Sequence, residues 1–63
     1  MIVNGKKMDF GKITILKLLE NLKLDMNKVV IEVNLEIVSK ESYSEYILIQ
    51  EDKIEIISLV GGG

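Results

Sequence analysis

The sequence contains no cysteine and no histidine, and its aromatic residues are two tyrosines and one phenylalanine. Without cysteine the chain has no disulfide framework, no thiolate nucleophile and no cysteine-type metal site. Without histidine it also lacks the commonest zinc ligand and acid–base residue. Gly5 and Gly11 do not have the spacing of a phosphate-binding loop. We therefore expect a protein that is not itself an enzyme.

The sequence also lacks a dominant charge and a long apolar run. Its net charge is −2, with lysines and acidic residues interspersed, so no basic surface for nucleic acid is predicted. The apolar runs are a few residues long, far below the roughly 20 of a membrane-spanning helix. No basic segment followed by an apolar one opens the chain, as it would in a signal peptide. We expect a cytoplasmic protein that binds neither nucleic acid nor membrane and is monomeric when free.

What the sequence does contain is aliphatic residues in regular patterns. Hydrophobic residues make up 48% of the 63 positions, enough for one small domain with a real core. A domain of about 60 residues buries only about 60% of the surface that its unfolded chain exposes, which predicts marginal stability.

The first ten residues predict a β-hairpin. Asn4-Gly5 is the strongest short hairpin signal, since a type I′ turn requires positive φ at both central residues. The strands would run from residue 1 to 3 and from 6 to 10, with Val3 opposite Lys6. Alternation then places four apolar side chains on one face of the hairpin. They are Met1, Val3, Met8 and Phe10.

One helix follows the hairpin. Thr14 is the predicted N-cap, and apolar residues recur behind it at helical spacing on one face. They are Ile15, Leu18, Leu19 and Leu22. Residues 25–27 are predicted to form a loop. Further strands are predicted at 29–33, 36–38, 47–49 and 53–60, with a turn or short 3₁₀ segment within 39–46.

This order of elements predicts an α+β fold of the β-grasp, or ubiquitin-like, type. One main helix would pack on one face of a mixed sheet of four to five strands. The first and last strands would be parallel and adjacent in the middle of that sheet. Residues 1–60 would form the β-grasp domain, and residues 61–63 a flexible C-terminal glycine tail.

The glycine run Gly61-Gly62-Gly63 directly follows the last predicted strand. Glycine has no Cβ and no steric restriction on φ, so such a run adds nothing to a core. A stiff strand that leads into a thin tail suits threading into a narrow channel of another protein, with chemistry at the terminal carboxylate. The alternative interpretation is a disordered end without function.

Several segments in order resemble the ThiS sulfur carriers of thiamine biosynthesis, a family of small ubiquitin-like proteins. The resemblance covers essentially the whole chain and rests on these segments: Val3-Asn4-Gly5-Lys6, Leu18-Leu19-Glu20-Asn21-Leu22, Val29-Val30-Ile31-Glu32-Val33-Asn34, Glu36-Ile37-Val38, Lys40-Glu41, Asp52-Lys53-Ile54-Glu55-Ile56 and Val60-Gly61-Gly62-Gly63. Two positions depart from the family. Leu35 replaces a frequent turn glycine, which predicts a different turn type there, and Glu51 lies where Asp-Gly-Asp turns are common.

The resemblance implies a carrier role for the C-terminus. An adenylating enzyme of the ThiF or E1-like type would join the Gly63 carboxylate to AMP, using ATP and Mg²⁺. A sulfur donor system, for example a persulfide, would then displace AMP and leave a thiocarboxylate. That group would supply sulfur to a ThiG-like thiazole synthase. Gly61 and Gly62 would let the tail thread into its partners, and no cofactor would be bound permanently.

Strand alternation also predicts a docking patch. If Ile54 and Ile56 face the core, then Ile57 and Leu59 face outward. Val30 and Ile2 would flank them on the open face of the sheet. Grouped exposed apolar residues often mark a binding surface, so we hypothesise that Val30, Ile57 and Leu59 dock the activating enzyme. The alternative is scattered surface apolar residues, which are ordinary.

Other functions remain open at this point. Three alternatives are a sulfur carrier for molybdopterin or another sulfur-containing product, a ubiquitin-like protein modifier, and a plain binding module. The two tyrosines, Tyr43 and Tyr46, would more often cover the edge of a small core than stack a ligand. The glutamates of the second half of the chain are expected to form a solvated face rather than an acid–base pair. They are Glu32, Glu36, Glu41, Glu45, Glu51 and Glu55.

Overall fold

The computed structural model describes residues 1–59 of the chain. Within this range, short strands surround a single α-helix, and two 3₁₀ segments lie in the connections. The elements are β1 (Ile2–Val3), β2 (Lys6–Lys7), β3 (Ile13–Thr14), α1 (Ile15–Asn21), a 3₁₀ segment (Met26–Lys28), β4 (Val29–Val33), β5 (Glu36–Val38), a 3₁₀ segment (Lys40–Ser42), β6 (Ile47–Leu48) and β7 (Lys53–Ser58).

Five strands form a mixed sheet in the order β2-β1-β7-β4-β5. The pairing of β1 with β7 is parallel, and the remaining neighbours in this sheet are antiparallel. The prediction that the first and last strands lie side by side in mid-sheet is therefore confirmed. With α1 packed against one face through its buried side chains, the α+β β-grasp arrangement is also confirmed.

The first hairpin has the predicted register, with Val3 opposite Lys6 and Ile2 opposite Lys7. Asn4 and Gly5 have φ values of 51° and 80°, as a type I′ turn requires. The second strand is shorter than predicted, since it ends at Lys7 rather than at residue 10. Beyond it the chain leaves the sheet toward the helix. The apolar face is nevertheless kept, because both apolar residues of the predicted extension pack against the core.

The second hairpin corrects the prediction of a different turn type. Asn34 and Leu35 have φ values of 52° and 73°, so both central residues are left-handed, as in Asn4-Gly5. The turn therefore keeps the type I′ backbone although leucine replaces glycine. A leucine in this region is unusual, because its Cβ crowds the backbone at positive φ. The pairing of β4 with β5 imposes the conformation.

The helix begins as predicted. The Thr14 side chain accepts a hydrogen bond from the Lys17 backbone N–H at 3.1 Å, which caps the first turn. Three residues of the predicted stripe are buried, Ile15, Leu18 and Leu19. The loop predicted at residues 25–27 is partly helical instead, since Met26–Lys28 form the first 3₁₀ segment.

A second, two-stranded sheet was not predicted. In it β3 pairs antiparallel with β6, so that Ile13 lies opposite Leu48. The start of the helix is tied to the same region, since Ile15 N–H donates to the Tyr46 carbonyl at 3.0 Å. This small sheet adjoins the helix N-terminus, and its residue Leu48 is fully buried in the core.

The core lies between the helix and one face of the five-stranded sheet. Its fully buried side chains come from every layer: Ile15, Leu18, Leu19, Ile31, Leu48 and Ile54. Tyr43 is also part of it, at 2% exposure, whereas Tyr46 is 36% exposed. Burial raises the pKa of the Tyr43 phenol above 10.0, and a hydrogen bond with the Ile31 backbone acts in the opposite direction. The expectation that the tyrosines cover the core is met by Tyr43.

Candidate functional site

The candidate site is the end of β7, where the chain leaves the sheet toward the glycine run. β7 is the central strand, paired on one side with β1 and on the other with β4. Its apolar residues Ile54 and Ile56 point into the core, at 0% and 9% exposure. A central strand held on both edges is among the least mobile elements of a small domain. The position from which the tail departs is thus fixed by the fold.

The Asn4 side chain extends the support of β7 beyond the short strand β1. Its Oδ1 accepts a hydrogen bond from the Ile56 N–H at 2.6 Å. The backbone N–H of Asn4 donates to the Ile54 carbonyl at 2.9 Å. The Asn4-Gly5 pattern predicts Asn4 only as a turn residue and does not indicate this second role. Nothing in the local pattern reveals it, because the partner is 52 residues away.

The last described residue, Leu59, is held by one further backbone hydrogen bond. Its N–H donates to the Lys28 carbonyl at 2.8 Å, one position beyond the end of β7. Lys28 ends a 3₁₀ segment that is capped by Asp25, whose Oδ1 accepts from the Asn27 N–H at 2.8 Å. An aspartate before a short helical turn is a recognisable cap signal. Asp25 is thus the sequence signal that indicates this 3₁₀ segment.

Two of the three predicted patch residues are well exposed. Ile57 is 45% and Leu59 is 52% exposed, while Val30 is half-buried. Val30 lies directly opposite Ile57 on the neighbouring antiparallel strand. Side chains of directly opposite residues are in contact distance. Val30 and Ile57 thus form one continuous apolar surface that leads to Leu59 at the tail exit.

Ile2 does not belong to this surface, which corrects the prediction that it flanks Ile57. Ile2 pairs with Lys53, four residues before Ile57 on the same strand. At about 3.3 Å per residue the two positions are about 13 Å apart along β7. Glu55 lies between them on the same face. The apolar surface is therefore confined to the end of the sheet from which the tail leaves.

Acidic residues border the apolar surface. Glu55 lies directly opposite Glu32, one step along the open face from the pair of Ile57 and Val30. The next residue across the sheet is Ile37, which is 71% exposed and lies opposite Glu32 on β5. The open face thus combines apolar and negatively charged groups near the tail exit.

Neither a metal cluster nor a membrane span is found in the described part of the chain. Between residues 1 and 59, no three side chains of the ligating types lie close enough together to hold a metal ion. The α-helix in the same range, with 7 residues, does not meet the length and apolar character needed to cross a bilayer. The predicted tail residues Gly61, Gly62 and Gly63, like the last position of the predicted strand, Val60, lie outside the described residues.

The comparison with known families agrees with the fold. The sequence model of the ThiS family matches residues 1–63, the whole chain. The chain belongs to the ThiS family. Among individual proteins, the sulfur carrier protein ThiS of Bacillus subtilis (strain 168) is 43% identical over 63 residues, which cover 97% of this chain and 96% of that protein.

A second relative is much longer than this ThiS-family chain. A thiazole synthase of Paramagnetospirillum magneticum is 41% identical over 64 residues, which cover 100% of this chain and 20% of that protein. The chain therefore spans about a fifth of this relative and nearly all of the Bacillus one.

Solved structures of the same family have the same fold. The crystal structure of thiamine biosynthesis protein ThiS from Geobacter metallireducens matches with a TM-score of 0.80 at 29% identity, covering 98% of this chain and 96% of that one. The solution structure of a thiamine biosynthesis protein from the same organism matches with a TM-score of 0.79 at 27% identity, covering 98% and 85%. The β-grasp topology of this chain is thus that of ThiS proteins.

Proposed function

We propose that this chain is the sulfur carrier of thiazole formation in thiamine biosynthesis. The observation that carries the proposal is its end-to-end match to a family of sulfur carriers, with 96% of the Bacillus subtilis carrier covered. Gly63 is the proposed carrier residue, and Gly61 and Gly62 are the proposed threading residues. The anchored strand β7, which leads directly to them, supports this assignment.

The chemistry begins with a carboxylate, which is a poor acyl donor because its leaving group would be oxide. In the proposed first step, the Gly63 carboxylate attacks the α-phosphorus of ATP, and pyrophosphate leaves. The resulting acyl-adenylate has AMP as its leaving group. Sulfur at the oxidation level of sulfide then attacks the acyl carbon, so that a C–S bond forms and the C–O bond to AMP breaks. The product is a C-terminal thiocarboxylate.

The chain itself is a cosubstrate rather than a catalyst in this scheme. ATP and Mg²⁺ belong to an adenylating enzyme of the ThiF or E1-like type, and the sulfur comes from a donor system. The sulfur acceptor is a ThiG-like thiazole synthase. The relative from Paramagnetospirillum magneticum supports that partner, because a segment similar to this chain is part of a polypeptide named thiazole synthase.

The apolar surface of Val30, Ile57 and Leu59 is the proposed docking patch for the adenylating enzyme. Its position supports the proposal, because Leu59 is both a patch residue and the residue from which the tail departs. A partner that covers the patch thereby receives the tail at a defined point. Ile57 and Leu59 are about half exposed, and grouped exposed apolar side chains often mark a binding surface.

Intact mass measurement tests the carrier role. The full chain is incubated with ATP, Mg²⁺, a sulfide source and the host's adenylating enzyme. We expect a gain equal to the replacement of one oxygen by sulfur, and no gain in a variant from which Gly63 is deleted. Loss of the sulfur on addition of thiazole synthase and its substrates would assign the pathway.

Other outcomes contradict the proposal. Sulfur transfer to a molybdopterin precursor but not to thiazole would change the pathway. Conjugates of high mass that contain this chain would indicate a protein modifier. A chain that gains neither AMP nor sulfur, with an enzyme that is active on another carrier, would point to a binding module.

A further inference from the structure

The tail exit has a support that the docking patch does not explain. The Leu59 N–H donates to the Lys28 carbonyl at 2.8 Å, one residue after β7 ends at Ser58. Within the described residues this is the last hydrogen bond of the backbone before the glycine run. It continues the antiparallel register of β4 and β7 by one residue, and its acceptor belongs to the 3₁₀ segment that leads into β4.

The turn that supplies this carbonyl is itself held in place. The Asp25 carboxylate accepts from the Asn27 N–H at 2.8 Å, and the Asp25 carbonyl accepts from the Lys28 N–H at 2.9 Å. The Lys40 ammonium donates to the Asn27 side-chain oxygen at 3.0 Å, which joins the turn to the second 3₁₀ segment. The acceptor of the Leu59 bond is therefore positioned by contacts from two separate parts of the chain.

We propose that the Asp25-capped turn is a positioning element for the carrier's reactive end. This inference rests on the proposed function. The proposed carrier residue, Gly63, lies four positions after Leu59, so even with a fully extended backbone the two are at most about 14 Å apart. Over so short a distance, the placement of Leu59 on the docked surface determines where Gly63 can reach. The Lys28 carbonyl provides that placement through the backbone of Leu59.

Loss of this hydrogen bond increases the conformational entropy of the backbone. The last residue held in place is then Ser58, and the φ and ψ angles of residue 59 are free to vary. Ordering one residue again in the complex lowers the population of the reactive geometry by a factor of roughly 5–30. We therefore expect the rate of the chemical step to fall by this factor, while the affinity of docking stays the same.

Two substitutions at Leu59 separate the bond from the patch. Leu59→Ala removes the docking side chain but keeps the N–H, so KM for the carrier should rise with kcat unchanged. Leu59→Pro also lacks the N–H and cannot bond to the Lys28 carbonyl, but its ring fixes φ, so only ψ of residue 59 becomes free. Relative to Leu59→Ala, we expect the same KM and a kcat lower by about 2–5-fold in ATP–pyrophosphate exchange with the adenylating enzyme. Thermal unfolding of both variants shows whether the domain remains folded.

A second pair of substitutions acts from the turn. Asp25→Ala removes the cap and should lower kcat with KM unchanged, whereas Asp25→Asn keeps an acceptor oxygen and should restore kcat. A readout without the partner is the hydrogen exchange of the Leu59 amide in the free protein. We expect it to be protected in the wild type and in Asp25→Asn, and to exchange faster in Asp25→Ala.

Several outcomes would overturn the inference. It is wrong if Leu59→Pro and Leu59→Ala have equal kcat, or if the Leu59 amide is as protected in Asp25→Ala as in the wild type. A wild-type chain that is not adenylated overturns the proposed function and this inference with it. A wild type that is adenylated, with variants that do not differ in kcat, overturns this inference alone.

Discussion

Glu32 and Glu55 lie directly opposite each other on the antiparallel strands β4 and β7, both half-buried on the open face of the sheet. The described residues contain no salt bridge to either of them. Like charges at directly opposite positions destabilise a sheet by about 0.2–1 kcal/mol. The pair therefore weakens the pairing of β4 with the central strand β7, next to the proposed docking patch.

Removing one of these charges should stabilise the protein. We expect Glu55→Gln to raise the free energy of unfolding by about 0.2–1 kcal/mol at low salt, and by less at high salt, where screening weakens the repulsion. Urea unfolding at both salt concentrations measures it. Glu36→Gln is the control, because Glu36 is a strand glutamate opposite Val33. An equal gain in both variants would indicate an effect of net charge instead.

The turn at Asn34-Leu35 predicts a second stabilising substitution. Leu35 has a φ of 73° and is 83% exposed, so it bears backbone strain without contributing to the core. Left-handed backbone costs a residue with a Cβ about 1–2 kcal/mol, and part of the relief is offset by the greater freedom of glycine in the unfolded chain. We expect Leu35→Gly to raise the free energy of unfolding by about 0.5–1 kcal/mol in urea unfolding.

The first hairpin offers a control in the opposite direction, in which a Cβ is added to a left-handed turn position instead of removed. Gly5 has a φ of 80°, and a Cβ built on it meets no atom within 4 Å. Gly5→Ala therefore introduces the same strain without a clash. We expect it to lower the free energy of unfolding by about 1 kcal/mol. If Leu35→Gly lowered stability instead, then the leucine side chain would have a contact that its exposure hides.

Sequence patterns predicted most of the fold, because turns, helices and strand alternation depend on residues that are close together in the sequence. The turn at Asn4-Gly5 set the register of the first hairpin, and the spacing of Ile15, Leu18 and Leu19 identified the buried face of the helix. Period-two alternation in β4 and β7 identified the core face and the exposed Ile57.

The features that the sequence did not reveal depend on long-range contacts. The pairing of β3 with β6 joins two dipeptides that are too short to have a pattern. The bond from Ile56 to the Asn4 side chain spans 52 residues. The turn at Leu35 keeps its left-handed backbone because the strands on either side impose it, against the preference of leucine. In each case the tertiary contacts determine a conformation that the local propensities of the residues do not predict.

Tyr43 should make the protein sensitive to alkali. Since burial raises its pKa above 10.0, the folded state keeps the phenolic proton at a pH where the unfolded chain has lost it. The unfolded state then binds fewer protons, so stability falls as the pH rises above about 10, by up to about 1.4 kcal/mol per pH unit. Urea unfolding from pH 8 to 11 measures this slope.

The matched variants are Tyr43→Phe and Tyr46→Phe. The first should flatten the alkaline fall in stability relative to the wild type, because it removes the buried phenol. The second should not, because the Tyr46 ring is 36% exposed. An identical slope in all three proteins would mean that other groups, such as the lysines, account for the whole effect.

The docking patch predicts a loss of partner affinity without a loss of fold. Ile57→Asp places a charge on the apolar surface, next to Glu55, and should raise KM for the adenylating enzyme by about 10–30-fold. Because Ile57 is 45% exposed, the free energy of unfolding should fall by less than about 1 kcal/mol. Ile47→Asp is the control, since Ile47 is 56% exposed but lies on the other sheet. Equal effects of the two variants on KM would contradict the patch.

The glycine run predicts that bulk, not charge, decides entry of the tail into its partner. Without a Cβ at position 62 the tail can lie extended against another backbone, and a β-branched side chain prevents this approach. We expect Gly62→Val to unfold at the wild-type temperature but to be adenylated at least about a hundredfold more slowly in kcat/KM. Gly62→Ala, which adds a single methyl group, should lie between the two. Adenylation of Gly62→Val at the wild-type rate would show that the channel accepts side chains, and the steric role of the glycines would then be wrong.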